Sequence, residues 1–232
     1  MVAPDLLLFD IDGTLLRARA AGRESLDEAF FRVCGWRGAT EGVSLAGSTD
    51  SAICRAVGAR HGCGWDGPDS AAPYDVAAVR AAYVQALEVR LSEPGRASAC
   101  PGVHALLDRL AGRAHIALLT GNWLEGAARK LAAIGLAHDR FVIGAYGDDA
   151  VTRDGLVPVA EARARAAGLR WRRAIVIGDT PADVSCARAG GAVAVAVETG
   201  FATRSELERA APDLLLPDLE RGAEWLLALV SA

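Results

Sequence analysis

Two carboxylates stand two residues apart in the segment Phe9-Asp10-Ile11-Asp12-Gly13-Thr14-Leu15. In an extended chain, side chains at i and i+2 point to the same side, so Asp10 and Asp12 address one space. Gly13 then lets the backbone turn away sharply. A second acidic group lies in Ile177-Gly178-Asp179-Thr180-Pro181-Ala182-Asp183. Pro181 suits the first position of a helix and Thr180 its N-cap, which places Asp183 in the first turn, close enough to Asp179 to share a cation. A helix N-terminus explains an acid at Asp183 but not one at Asp179. Asp10, Asp12, Asp179 and Asp183 would repel one another strongly unless a metal neutralised them. Hard oxygen donors with few or no histidines point to Mg2+ over zinc or copper. A third group is Leu118-Leu119-Thr120-Gly121-Asn122. A hydroxyl followed by a glycine amide makes a small nest of donors for phosphate oxygens.

All three groups follow short apolar runs, and this is what positions them. The runs are Leu6-Leu7-Leu8-Phe9, residues 115–120, Phe141-Val142-Ile143, residues 174–177 and residues 192–197. They lack apolar/polar alternation, as parallel strands covered on both faces do. Helical stretches at 103–110, 124–134 and 158–167 lie between them, an order that predicts a doubly wound α/β sheet. In such sheets ligands bind beyond the carboxyl ends of the strands, where Asp10, Thr120 and Asp179 fall.

Residues 17–94 break the alternation. Leu26, Phe30 and Val33 share one helical face, as do Val76, Val79, Tyr83 and Leu87, and no strand is evident. Gly/Pro/Asp-rich stretches at 61–73 and 93–95 read as loops. The organisation expected is a sheet domain of residues 1–16 and 95–232, an all-helical insert of residues 17–94, and a hinge near residues 16 and 95. Gly47-Ser48-Thr49-Asp50 and the arginines Arg17, Arg19 and Arg23 are candidates to face the site from the insert.

Composition narrows the function. The chain has 232 residues, 52% of them apolar, so it can bury a core without disulfides and is not disordered. A net charge of −4 supplies no basic surface for nucleic acid. No apolar stretch approaches the roughly 20 residues that span a bilayer. Cysteines at 34, 54, 63, 100 and 186 are odd in number and irregularly spaced, which predicts reduced thiols and a cytoplasmic protein. His61 and Cys63 lack the further ligands a zinc site needs. The basic residues comprise 24 arginines and a single lysine, Lys130.

Together these residues resemble the haloacid dehalogenase superfamily, specifically its phosphoglycolate phosphatase-like branch with a helical cap after the first strand. The likeness covers nearly the whole chain, with Asp10 and Asp12 in the first motif, Thr120 in the second, and Asp179 and Asp183 in the fourth. It implies a Mg2+-dependent phosphatase acting on a small phosphorylated metabolite. By this resemblance Asp10 attacks phosphorus to form an aspartyl-phosphate, while Asp12 protonates the leaving oxygen and later deprotonates the hydrolytic water. Metal contacts would be Asp10, the backbone carbonyl of Asp12, and Asp179, with Asp183 binding directly or through water. Gly121 and Asn122 would contact substrate beside Thr120, and the cap would select it. Two rivals are a phosphomutase of the same superfamily and a catalytically weak phospholigand-binding protein. A dehalogenase lacks the second aspartate, and a phosphonate-cleaving enzyme needs a cap lysine that residues 17–94 do not contain.

The third motif departs from the family, which usually carries a lysine about 25 residues before the fourth. Lys130 lies seven residues into the helix after Thr120, roughly 10 Å along its axis, which predicts a surface position. Arg153, 26 residues before Asp179, is expected to replace it. A motif III cation must hold charge, which a guanidinium does with bidentate geometry.

Overall fold

The computed structural model describes residues 3–63, 73–150 and 152–231. Most of the stretch 61–73, Met1-Val2 at the start of the chain, and Val151 lie outside the described residues. Strand β1 (Asp5–Phe9) forms the centre of a six-stranded parallel sheet. Its partners are β4 (Ala114–Leu119) on one side and β6 (Ala174–Gly178) on the other. Outward lie β5 (Gly144–Ala145) beyond β4, then β7 (Val193–Val197) and β8 (Leu214–Leu216) beyond β6, giving the order β5-β4-β1-β6-β7-β8. The chain leaves β1 to build one side and returns to build the other, so the topological switch point flanks β1.

Both faces of the sheet are covered, which is why its strands read as unbroken apolar runs. Leu7, Phe9, Leu118 and Ile177 pack on one face with helices α4 (Val103–Leu110), α5 (Leu124–Ala133) and α9 (Ala223–Ser231). Leu6, Leu8, Leu119 and Val176 pack on the other with α6 (Leu156–Ala166), α7 (Pro181–Ala189) and α8 (Arg204–Ala210). The expected strand at residues 141–143 is displaced. Val142 N–H already bonds to Ile116 C=O at 2.9 Å, but the ladder itself is the next pair of residues, Gly144 and Ala145. Phe141 instead turns into the core and Val142 is half exposed at the sheet's edge. β8 closes the opposite edge and had no counterpart in the sequence reading.

Between β1 and β4 the chain forms α1 (Ala21–Cys34), α2 (Asp50–Arg60) and α3 (Val76–Leu91). Leu26, Phe30, Ile53, Val57, Val79, Tyr83 and Leu87 make a third apolar cluster. Val33 and Val76, expected on the same faces, are only partly buried against it. Trp123, from the loop after β4, inserts into this cluster and joins the helical segment to the sheet. The two crossing points are tied together by a short antiparallel pair, β2 (Leu16–Arg17) with β3 (Ser98–Ala99). His61 stacks on Trp36, ring centroids 4.3 Å apart. Among the described residues no helix is long and apolar enough to cross a membrane.

Candidate active site

Strand register brings the acidic groups together. Phe9 pairs with Leu118 on one side and with Ile177 on the other, so Asp10, Thr120 and Asp179 emerge at one level from neighbouring strand ends. They line a cavity of about 570 Å3 at the switch point, with Asp12, Gly121, Asn122, Lys130 and Arg153. Asp10, Asp179 and Asp183 each offer an oxygen within 4.8 Å of the others, and all three are buried. Asp12 belongs to the same cavity, but its side chain is not part of this trio.

Two glycines allow that convergence. Gly13 has φ +83°, and a Cβ there would lie 2.4 Å from Asp179 Oδ2. A Cβ at Gly200 would lie 1.7 Å from the same oxygen. The loop Thr199-Gly200-Phe201 beyond β7 was not anticipated, although its place at a strand end was the available signal. Phe201 N–H donates to Asp179 Oδ2 at 2.8 Å, and Thr199 Oγ1 donates to Gly13 C=O at 2.6 Å.

Arg153 occupies the expected place. Its buried Nη2 pairs with Asp10 Oδ1 at 2.9 Å and also with Asp183 Oδ1. Burial opposes its charge, yet Asp183 and Asp10 hold its pKa above the ordinary value. Asp183 Oδ2 accepts from Thr180 N–H at 3.0 Å and Thr180 Oγ1 at 2.7 Å, so the predicted N-cap Thr180 fixes its orientation. Asp179 has no cation within ion-pair distance among the described residues. Burial, then the charges of Asp10 and Asp183, push its pKa to about 8. Burial likewise raises Asp10 to about 6, with Arg153 opposing the rise. A buried trio of carboxylates facing one guanidinium leaves negative charge that a proton or a hard divalent cation would neutralise. The all-oxygen donor set fits such a cation.

Lys130 is where the sequence reading fails. It is not on the surface: its side chain is 5% exposed, and Nζ lies 2.6 Å from Asp12 Oδ2 and 2.6 Å from Asn122 Oδ1. Helical side chains lean toward the N-terminus, so the lysine stem runs back along α5 to the strand end. The signal was present, because Lys130 follows Gly126 by four and Ala127 by three and shares their buried face with Leu131.

Asn122, expected to contact substrate, spends its side chain on protein partners. Nδ2 donates to Asp12 Oδ2 and to Thr120 Oγ1, each at 2.8 Å. Gly121 also lies where only a glycine fits: a Cβ there would lie 2.1 Å from Ser48 C=O. The loop from the helical segment closes onto the sheet at this point. Asp50 N–H donates to Gly121 C=O at 2.7 Å, and Asp50 Oδ2 accepts from Trp123 N–H at 2.8 Å. Burial raises the Asp50 carboxyl to about 6. Gly47, Ser48 and Asp50 line the cavity while Thr49 caps α2, and Arg17, Arg19 and Arg23 line it too. Arg17 Nε donates to Thr199 C=O at 2.7 Å, and Arg23 donates to Thr40 C=O at 2.8 Å.

Comparison with known proteins identifies the family. A sequence profile of haloacid dehalogenase-like hydrolases matches residues 7–188. The chain is 27% identical to a phosphoglycolate phosphatase of Rhodospirillum rubrum, over 96% of this chain and 91% of that one. Among solved structures it is similar to a variant of CbbY from Rhodobacter sphaeroides in complex with xylulose-(1,5)bisphosphate. That match has a TM-score of 0.70 at 23% identity and covers 94% of this chain and 95% of the other. A hydrolase from Pseudomonas syringae also matches with a TM-score of 0.70, at 21% identity, covering 97% of this chain and 99% of that one. With the profile spanning most of the residues that build the cavity, the chain belongs to the haloacid dehalogenase-like hydrolase family, as a phosphatase-like member.

Proposed function

We propose that the protein hydrolyses a small phosphate monoester through an aspartyl-phosphate on Asp10, with a magnesium ion as cofactor. The observation that carries the reading is the convergence of the buried Asp10, Asp179 and Asp183 with Arg153, beside a separately braced Asp12, in one cavity. Asp10 is the nucleophile, a recognised role for carboxylates in phosphoryl transfer. Arg153 fixes one of its oxygens and opposes the charge that accumulates on the phosphoryl group. Asp12 gives a proton to the departing oxygen and takes one from the attacking water, since paired carboxylates in unlike surroundings can hold different protonation states. Thr120 Oγ1 accepts from Asn122, so its own proton is what it has to offer a phosphoryl oxygen. Magnesium, held by Asp10, Asp179, Asp183 and the carbonyl of Asp12, would supply further charge stabilisation of the transferring group.

The helical segment 17–94 is read as the cap of a sheet domain made of residues 1–16 and 95–232. Its closure over the strand ends excludes water from the reacting groups. Arg17, Arg19 and Arg23 line the cavity and form no carboxylate pair among the described residues. This favours a substrate with a second anionic group, a carboxylate or another phosphate.

The test is phosphate release from a panel of phosphate esters with and without Mg2+, beside an Asp10→Asn control. We expect Mg2+-dependent release, fastest on esters carrying a second anion, and a loss of at least ~100-fold in the control. No release from any ester, or full activity in the control, refutes the reading. Conversion of a hexose 1-phosphate to its 6-phosphate without phosphate release would point to a mutase instead.

A further inference from the structure

We propose that Lys130 is the positioning residue for Asp12, fixing one oxygen of that carboxylate so that the other carries the proton. The inference rests on the reading of Asp12 as acid and base given above. Asp12 Oδ2 receives two donors, Lys130 Nζ at 2.6 Å and Asn122 Nδ2 at 2.8 Å. No donor among the described residues reaches Oδ1. The carboxylate is therefore held asymmetrically, with one oxygen clamped and the other open to exchange a proton in the cavity. The clamp is itself anchored. Asn122 bonds to Thr120 Oγ1 through the same amide that touches Asp12, and its Oδ1 accepts from Lys130 at 2.6 Å. With an ammonium on one side and a carboxylate on the other, chemistry dictates which end of the amide faces which.

Packing alone does not account for this lysine. Its neighbours on the buried face of α5 are Gly126, Ala127 and Leu131, where an apolar residue would cost far less to bury. A chain with 24 arginines has placed its one lysine here.

The bond changes assign the consequence. Asp10 bonds to phosphorus as the P–O bond to the alcohol breaks, and the proton on Asp12 goes to that alcohol oxygen. Water then attacks phosphorus and gives its proton to Asp12, the bond to Asp10 breaks, and inorganic phosphate leaves. An alkyl ester needs the first proton, whereas a nitrophenolate departs without it. Both need Asp12 for the second step.

The experiment is Lys130→Met, assayed with an alkyl phosphate taken from the panel and with p-nitrophenyl phosphate. With the alkyl ester kcat should fall at least ~100-fold while KM changes little. With the nitrophenyl ester the variant should give a burst of about one nitrophenolate per protein at the wild-type rate, then slow turnover. In an Asp12→Asn background Lys130→Met should cost no more than a further ~3-fold, because the two act as a unit. A lost or slowed burst with the nitrophenyl ester, or additive losses in the double variant, would overturn the assignment. If Lys130→Met does not fold, Lys130→Gln serves, with the same preserved burst and a smaller loss of turnover expected. Should the wild type release no phosphate from any ester, the functional reading itself fails. Release by the wild type without a burst in the variants defeats only the role of Lys130.

Discussion

The burial of Asp10 and Asp179, with repulsion from neighbouring carboxylates, makes the stability of the metal-free protein fall as pH rises. In the folded chain Asp10 titrates at about 6 and Asp179 at about 8, against 3.8 for each when free. A carboxyl whose folded pKa is raised contributes stability that is complete below its unfolded value and lost as pH climbs through its folded value. For Asp10 that window runs from 3.8 to about 6, and for Asp179 from 3.8 to about 8. At about 1.4 kcal/mol per unit, the change at Asp10 alone is worth about 3 kcal/mol. For a chain of this size that corresponds to roughly 6–12 °C in thermal midpoint. A bound divalent cation takes the place of the protons and removes the penalty.

The assay is thermal unfolding at constant ionic strength in chelator and in saturating Mg2+, at about pH 5.5, 7 and 8.5. Other titrating groups shift both curves together, so the gap between the two midpoints isolates the site. That gap should widen as pH rises, and Asp179→Asn should flatten its pH dependence. A gap that is constant, or that narrows toward high pH, would refute the claim that Asp10 and Asp179 gather protons without metal and release them when it binds.

Arg153→Ala removes the guanidinium paired with Asp10 and Asp183, leaving buried negative charge, and should cost about 3–5 kcal/mol in the metal-free protein. Arg153→Lys should restore part of this stability and more of the activity than Arg153→Ala does; denaturant titration beside phosphate release checks both. Gly200→Ala forces a methyl against Asp179, so it should weaken Mg2+ binding at least ~10-fold by calorimetry while costing about 1–3 kcal/mol of stability. Unchanged Mg2+ affinity would show that the position of Asp179 does not govern metal binding.

How legible each part was depended on how locally it was encoded. Fully buried parallel strands announce themselves, because no face needs a polar residue, and Leu6-Leu7-Leu8-Phe9 did so. The carboxylates were legible because they follow such strands directly. Residues 141–143 misled because an apolar run at a sheet edge can mark the approach to a ladder as well as the ladder, and Phe141 turns into the core before pairing begins. Thr199-Gly200-Phe201 acquires its role only through β7 packing beside β6, a nonlocal fact. Lys130 was misplaced by counting rise along the helix axis from the backbone alone, without the lean and length of the side chain.

That one correction changes how the cations divide the chemistry. A single motif III replacement had been expected to do all the work, leaving Lys130 idle. Instead two of the cations lining the cavity pair with its carboxylates, and their partners differ. Nη2 of Arg153 alone meets two carboxylates, Asp10 and Asp183, which on the proposed mechanism suits a permanent charge held beside phosphorus. The ammonium of Lys130 joins one carboxylate to one amide, Asp12 to Asn122, which suits a point charge that sets an orientation. On the proposed mechanism, a nucleophile must present an oxygen while an acid must present a proton, so the two aspartates of the first motif need unlike partners. The arginine and the lysine provide that difference.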